Sequence, residues 1–246
     1  MRRYNAFKLR LSTKTVSKET PANRRTYLPS RPPSNVANDC FFCLSNVNVA
    51  KHLIVSIGTE VYLALAKGPL TTKEVVGMPF PGHVLIIPIA HTAVASSSER
   101  AEMETYREKL TAFFQARNCC AVTFEIRVSW GIHANWQVVA VPKSIPLEEE
   151  FIQAFQEKHM TLEQRKPGKA EEYCRVVLPS GNYVATLTER FYDLQFPRRI
   201  LSRLLNLEDR VDWRGCIQTE DEELADAAAF RDEFEKASVT QETQNA

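Results

Sequence analysis

Five β-rich runs and one well-marked helix in the first 145 residues constrain the fold of this chain most strongly. The runs are LIVSI at 53–57, VYLALA at 61–66, HVLIIPIA at 83–90, AVTFEIRV at 121–128 and WQVVAV at 136–141. Before the fourth run, Ser96 and Glu99 form a capping box, and apolar residues recur at helical spacing through Arg117. A single helix among short, turn-linked runs predicts an α+β domain with an antiparallel sheet.

The later residues predict a second, smaller α+β module. It comprises helices at 148–159, 198–207 and 220–237 and a hairpin at 174–187 with the turn sequence PSGN. The first 37 residues are rich in Pro, Ser, Thr and Arg and offer little apolar surface to bury. We therefore expect a basic disordered arm at 1–37, a first domain at 38–145 and a second domain at 146–246.

The charge of the chain is distributed asymmetrically. Residues 1–39 carry nine basic and two acidic side chains, net +7, whereas residues 208–246 carry twelve acids and four bases, net −8. A basic arm is attracted to phosphate, and its candidate RNA-binding residues are Arg2, Arg3, Lys8, Arg10, Arg24 and Arg25. A solvated tail without a partner and a mitochondrial presequence are alternative interpretations.

The acidic helix at 220–237 has two interpretations. Leu224, Ala228 and Phe234 are candidate anchors for a basic protein partner. A merely solvated helix fits the same pattern equally well.

Membrane and secretory functions are not indicated. No apolar run approaches the roughly 20 residues that a membrane-spanning helix needs. The start, MRRYNAFKLRLSTK, lacks the apolar centre of a secretory signal. We therefore expect an intracellular protein without a membrane partner.

The cysteines and histidines suggest a metal site. Cys40 and Cys43 form a CxxC, a spacing that places two thiolates on one tetrahedral ion, and zinc then needs two more nitrogen or sulfur ligands. Spacing alone does not choose among the five histidines, which are His52, His83, His91, His133 and His159.

Strand alternation predicts a polar face near residue 135. In IHANWQVVAV, alternation places His133, Asn135 and Gln137 on one side of a strand. In HVLIIPIAH it places His83 and His91 at the two ends of one apolar face. These residues are candidates for a ligand pocket, although a solvent-exposed edge face and hydrogen-bonded structural histidines are the alternatives.

Two sets of sequence blocks resemble the C-terminal regions of the CwfJ family, the CWF-nineteen-like splicing proteins. The first region resembles DCFFCLSNVNVAKHLIVSIGTEVYLALAKGPL, PGHVLIIPIAH and IHANWQVVAVP, and the second resembles YCRVVLPSGNYVATL, DLQFPRRILSRLLNL and DWRGC. The resemblance spans residues 38–237. It implies a divergent histidine-triad domain, related to nucleotide hydrolases and transferases, followed by a small α+β module. Members usually carry a large N-terminal region, so a short paralogue and a fragment both remain open.

The resemblance also implies site residues. Zinc-carrying relatives use positions that correspond here to Cys40, Cys43, His91 and His133, which implies one structural Zn²⁺ ion. Because four protein ligands leave no position for an activated water, no catalytic metal is expected.

Enzymatic activity by the usual route is not expected. The middle histidine of the triad, the nucleophile of active relatives, corresponds to Asn135, and an amide nitrogen cannot attack phosphorus. No catalytic residue is therefore assigned. Gln137 and Asn135, with His83, are left as pocket or phosphate-binding residues, and His52 and His83 as the remaining acid–base candidates.

The function implied is that of a non-catalytic splicing factor in the nucleus. Relatives act on late or intron-lariat spliceosomes with the lariat debranching enzyme, so the implied ligand is intron, snRNA or branched RNA and the implied partners are spliceosomal proteins. The alternative is a histidine-triad-type nucleotide or RNA phosphodiesterase with an atypical catalytic group.

Overall fold

The described residues of the computed structural model are 39–75, 78–131, 133–187 and 193–244, with side chains to residue 237. The basic arm, including Arg2, Arg3, Lys8, Arg10, Arg24 and Arg25, lies outside them. Among the described helices, none combines the length and the apolar character needed to cross a membrane.

The described strands are β1 Ile54–Ile57, β2 Val61–Leu65, β3 His83–Pro88, β4 Cys119–Arg127, β5 Trp136–Pro142, β6 Glu163–Gln164, β7 Tyr173–Leu178 and β8 Gly181–Thr186. They form one antiparallel sheet in the order β1-β2-β3-β5-β4-β7-β8-β6. This architecture confirms the predicted α+β fold class.

Four α-helices accompany the described part of the sheet. They are α1 Ser97–Gln115, α2 Leu147–Glu157, α3 Phe196–Leu204 and α4 Glu220–Gln244. The capping box of α1 is confirmed: Glu99 N–H donates to Ser96 Oγ, and Ser96 N–H donates to Glu99 Oε2 at 2.6 Å. Three 3₁₀ helices, Lys51–Leu53, Glu208–Arg210 and Trp213–Cys216, were not predicted from the sequence.

Two hydrophobic cores lie on opposite faces of the sheet. Helices α1 and α4 cover the first, in which Phe113 and Phe230 pack against each other near Trp136 of β5. Helices α2 and α3 cover the second, around Phe151 and Val139. Successive residues of β5 enter opposite cores because strand side chains alternate.

The sheet runs through the predicted boundary near residue 145. Strand β4 of the first region pairs with β7 of the second, in a register that joins Thr123 to Val177 and Arg127 to Tyr173. The second region also contributes α4 to the first core, where Ala227, Phe230 and Phe234 are buried.

Two expectations need correction. Strand β5 begins at Trp136, so only Gln137 of the predicted polar ladder lies on the strand, and His133 and Asn135 precede it. Phe234 of the acidic helix is buried in the first core, and so is not an anchor for a partner. Leu224 and Ala228, the other two candidate anchors, are exposed.

Candidate metal centre and adjoining cavity

The segment before the sheet folds into a turn that brings two thiols together. Cys43 N–H donates to the carbonyl of Cys40, and Asn46 N–H donates to the carbonyl of Cys43 at 2.9 Å. Asn46 also donates from Nδ2 to the Cys40 carbonyl at 2.9 Å. These bonds hold the turn closed, and both cysteines are buried.

The sheet register brings His91 and His133 beside that turn. Strands β3 and β5 are antiparallel neighbours with Ile86 opposite Trp136, so the chain leaving β3 passes the chain entering β5. The Ala134 N–H donates to the Thr92 carbonyl at 2.7 Å and joins the two segments beyond the strand ends.

The four side chains have the geometry of a metal site. Cys40 Sγ lies 3.4 Å from His133 Nδ1, and Cys43 Sγ lies 3.0 Å from His91 Nδ1 and 3.6 Å from His133 Nδ1. All four donor atoms are within 4.8 Å of one another. Tetrahedral zinc, with its usual bond lengths, separates sulfur from nitrogen by about 3.6 Å. The donor set therefore fits a divalent ion and can hold a metal.

The second nitrogen of His133 is also engaged. Its Nε2 lies 2.9 Å from the carbonyl oxygen of Pro88, so it carries the hydrogen and leaves the Nδ1 lone pair for a cation. Burial lowers the pKa of His133, which favours the neutral form that binds metal. Burial and the neighbouring Cys40 thiol raise the pKa of Cys43 to about 11. A cation between the thiols would offset the cost of deprotonating Cys43.

A cavity of about 490 Å³ adjoins the cluster, on the side of the sheet away from α1. Three parts of the described chain supply most of its lining. They are the N-terminal turn with Phe41 and Phe42, strand residues including Tyr62, His83, Leu85, Phe124 and Gln137, and second-region residues Leu194, Gln195, Arg198, Trp213 and Ile217. Asn135 lines it as well. Among the described residues, the charged ones that line it are Lys67 and Arg198, and none is an acid.

Hydrogen bonding fixes what the cavity floor offers. The Leu70 N–H donates to His83 Nδ1 at 3.1 Å, so the hydrogen of the neutral ring is on Nε2, which faces Gln137 Oε1 at 3.1 Å. Burial, with the charge of Arg198, lowers the pKa of His83 to about 3. Gln137 therefore keeps its amino group for a ligand, and His83, with both nitrogens engaged, is a positioning residue.

Two arginines of the second region grip the turn that precedes β3. Arg210 donates to the carbonyls of Pro69 at 2.8 Å and Leu70 at 3.0 Å, and Arg198 donates to the carbonyl of Gly68 at 3.0 Å. Because the Leu70 N–H also donates to His83, this hydrogen-bond network extends to the floor of the cavity.

The structure thus brings the four predicted metal ligands together and lines the cavity with His83, Asn135 and Gln137. His52 is not among the lining residues, because its ring bonds Glu223 on α4. Sequence reasoning missed Arg198, Gln195 and Lys67. An arginine in a helix usually belongs to a solvated face, so its charge alone gave no signal.

Comparisons with known proteins identify the family of this chain. Residues 30–154 match the family described as "Protein similar to CwfJ C-terminal", and residues 144–240 match "Protein similar to CwfJ C-terminus 2". The chain belongs to the CwfJ family. The two CwfJ matches overlap at residues 144–154, just after the end of β5.

Three curated relatives illustrate the similarity. The CWF19-like protein mug161 of Schizosaccharomyces pombe is 46% identical over 207 residues, covering 78% of this chain and 37% of the relative. The mouse CWF19-like protein 1 is 36% identical (94% and 45% covered), and the CWF19-like protein DRN1 of Saccharomyces cerevisiae is 31% identical (96% and 54% covered). The CwfJ chain therefore spans about half or less of the length of these relatives.

A solved structure also matches part of the CwfJ chain. It is a Hit-like protein involved in cell-cycle regulation from Bartonella henselae, with a TM-score of 0.28 and 16% identity, covering 43% of this chain and 82% of that one. A TM-score this low supports no conclusion about a shared fold or function.

Proposed function

We propose that this CwfJ chain is a non-catalytic splicing factor that binds intron RNA, with one nucleotide of that RNA in the cavity. The observation that carries the proposal is the lining, in which Lys67 and Arg198 are cations and none of the described lining residues is an acid. The aromatic residues Phe42, Tyr62 and Trp213 line the same space, and aromatic rings are suitable surfaces for a base. Such a cavity favours an anion with a flat apolar part.

The family resemblance supports a more specific proposal. The chain acts on late or intron-lariat spliceosomes in the nucleus, where it assists lariat debranching and spliceosome disassembly. Its RNA ligand is an intron, snRNA or branched RNA, and its protein partners are spliceosomal proteins and the lariat debranching enzyme. The +7 segment at 1–39 adds sequence-independent affinity for phosphate.

The metal in this proposal is one structural zinc ion on Cys40, Cys43, His91 and His133. Two thiols and two imidazoles are a donor set that zinc prefers, and four protein ligands close the coordination sphere. The ion ties the N-terminal turn, and with it Phe41 and Phe42 of the cavity wall, to the ends of β3 and β5.

The alternative is a nucleotide or RNA phosphodiesterase with an atypical catalytic group. Asn135 stands against it, because its side chain is an amide that donates to the His133 carbonyl at 3.2 Å. His83 is not a free base, because both of its ring nitrogens are engaged in hydrogen bonds with Leu70 and Gln137.

The deciding experiment compares branched RNA with linear RNA of the same composition, bound by the zinc-loaded chain at two salt concentrations. The matched variant replaces the six arm residues Arg2, Arg3, Lys8, Arg10, Arg24 and Arg25 with Gln. We expect both proteins to bind, with a shallower salt dependence for the variant, since fewer phosphate contacts release fewer counterions. Failure of the wild type to bind any RNA at low salt would overturn the proposal.

The enzyme alternative has its own test. The wild type and Asn135→His are incubated with a dinucleotide polyphosphate, and products are separated by chromatography. We expect no turnover by the wild type. Turnover by the wild type would favour the enzyme, whereas turnover by Asn135→His alone would mark an inactivated triad pocket.

A further inference from the structure

Arg198 of helix α3 is a buried cation without a salt bridge to any acid in the described part of the chain. Its side chain is 4% exposed and lines the cavity. It forms no salt bridge with the described acidic residues, and its hydrogen bonds go to the carbonyls of Gly68 and Arg210 and to the Cys216 thiol. Burying a charge without a counter-charge is costly, so the position favours an anion from outside the chain.

The geometry of the guanidinium leaves part of it for that anion. Nε and Nη2 of Arg198 make the bonds to protein groups. Nη1, which carries two hydrogens, makes no hydrogen bond with the described residues. It is not among the fully buried atoms that lack a partner, so it remains accessible to a ligand. The three carbonyl bonds therefore fix the plane of the group while one edge stays available.

No described residue that lines the cavity is an acid, and Asp212, whose charge acts on Arg198, is not among the lining residues. Gln195 and Trp213 line the cavity with Arg198, and Lys67 is the other charged lining residue. An arginine in this setting binds phosphate oxygens more strongly than it would in water, since its hydrogen bonds are charge-assisted and partly desolvated.

We infer that Arg198, supplied by the second CwfJ region, binds a phosphate group of the nucleotide held in the cavity, so that the two regions together form one ligand site. This inference rests on the proposed function and names the residue that contacts the negative charge of the ligand. The shared chemistry is a nucleoside phosphate, which either a free nucleotide or a phosphorylated RNA end can supply.

The test measures discrimination between ligands with and without phosphate. Adenosine 5′-monophosphate and adenosine are each titrated into the zinc-loaded full chain, followed by a short RNA with and without a 5′-phosphate. We expect the phosphorylated probe of each pair to bind about tenfold or more tightly, the effect of one charge-assisted hydrogen bond. Preference confined to the mononucleotide indicates a free nucleotide, and preference in both pairs indicates an RNA end.

Two variants address Arg198. Arg198→Met removes the cation, and Gln195→Glu places an acid beside it. Gln195 suits this change because Oε1 has no hydrogen-bond partner among the described residues, so no bond is broken. In both variants, the ratio of the affinities for adenosine 5′-monophosphate and adenosine should fall close to one, while the affinity for adenosine changes little. If Arg198→Met does not fold, Gln195→Glu still decides the question.

Two controls separate binding from structure. Arg210→Met removes the hydrogen bonds that Arg210 donates to the same turn, but Arg210 is not a lining residue. Gln115→Glu adds the same charge at an exposed position at the end of α1. Both should keep the wild-type preference.

The inference is wrong if Arg198→Met folds and keeps the preference, if Gln195→Glu keeps it, or if Arg210→Met loses it to the same extent. It is also wrong if the wild type binds adenosine and its phosphate equally or binds neither. RNA binding in the salt experiment is measured separately, so the proposed function can survive that outcome.

Discussion

His52 Nε2 lies 2.6 Å from Glu223 Oε2, which joins the segment before β1 to the buried face of helix α4. Glu223 is 3% exposed, and its Oε1 has no partner among the described residues. Asp226, one turn later, pairs with Lys73. The acidic helix is therefore held to the first core by polar bonds as well as by its phenylalanines.

Replacing His52 should loosen that attachment. His52→Ala leaves a buried carboxyl without its hydrogen-bond partner, and we expect the free energy of unfolding to fall by about 1–3 kcal/mol. Urea denaturation measures the change, and Glu235→Ala, at an exposed position of α4, is the control. Equal stabilities of the two variants would contradict a stabilising role for the pair.

Metal removal should destabilise the chain. We expect one zinc per wild-type chain by elemental analysis, and a chelator should lower the free energy of unfolding by about 4 kcal/mol if zinc was present at a thousand times its dissociation constant. Cys43→Ser should lose the metal, while Cys120→Ser, outside the cluster, should retain it. A metal-free wild type that melts at the same temperature with and without zinc would refute the site.

Gly68 should tolerate no side chain. It has φ +65°, and a Cβ there would lie 2.0 Å from the carbonyl oxygen of Trp213. Left-handed strain and this contact with backbone predict that Gly68→Ala costs about 2–4 kcal/mol. Gly215→Ala is the matched control, since nothing lies within 4 Å of its added Cβ, and it should change stability little. Similar melting temperatures for the two variants would argue against the close approach.

His83 should make stability depend on pH. Its pKa is lowered from about 6.5 to about 3 by burial and by Arg198, so the folded chain keeps the ring neutral while the unfolded chain takes up a proton. The stabilising contribution is complete above pH 6.5 and is lost as the pH falls toward 3.

The measurement is the free energy of unfolding of zinc-loaded protein across that window. Wild type should lose up to about 1.4 kcal/mol per pH unit more than His83→Gln does. His159→Gln, at an exposed position, should follow the wild type. Parallel curves for wild type and His83→Gln would show that His83 does not titrate below its ordinary range.

Sequence reasoning succeeded where a pattern is long or a cap is explicit. Helix α1 begins after Ser96 as predicted, and the hairpin of β7 and β8 forms around Ser180. It failed on β6, which has only two residues, and on the 3₁₀ helices, because such short elements carry no period. The start of β5 at Trp136 was predicted correctly, but the polar ladder was not, because His133 and Asn135 continue the alternation of the strand without belonging to it.

The candidate site was only partly accessible to sequence reasoning. The CxxC spacing predicts two metal ligands, but the choice of His91 and His133 depended on the family resemblance. His91 follows β3 and His133 precedes β5, and the pairing of these two strands is not visible in the sequence. The contribution of Arg198 required knowing that α3 borders a cavity formed by β1 to β5 of the first region. Long-range packing of this kind leaves no local pattern.

The pairing of β4 with β7 bears on how such chains can be divided or inherited. Without the second region, β4 would be an edge strand, and its unpaired backbone groups would be a template for strands of other molecules. The same cut would remove α4 from the first core. We therefore expect the two CwfJ regions to be inherited as a pair, and a piece ending near residue 145 to aggregate.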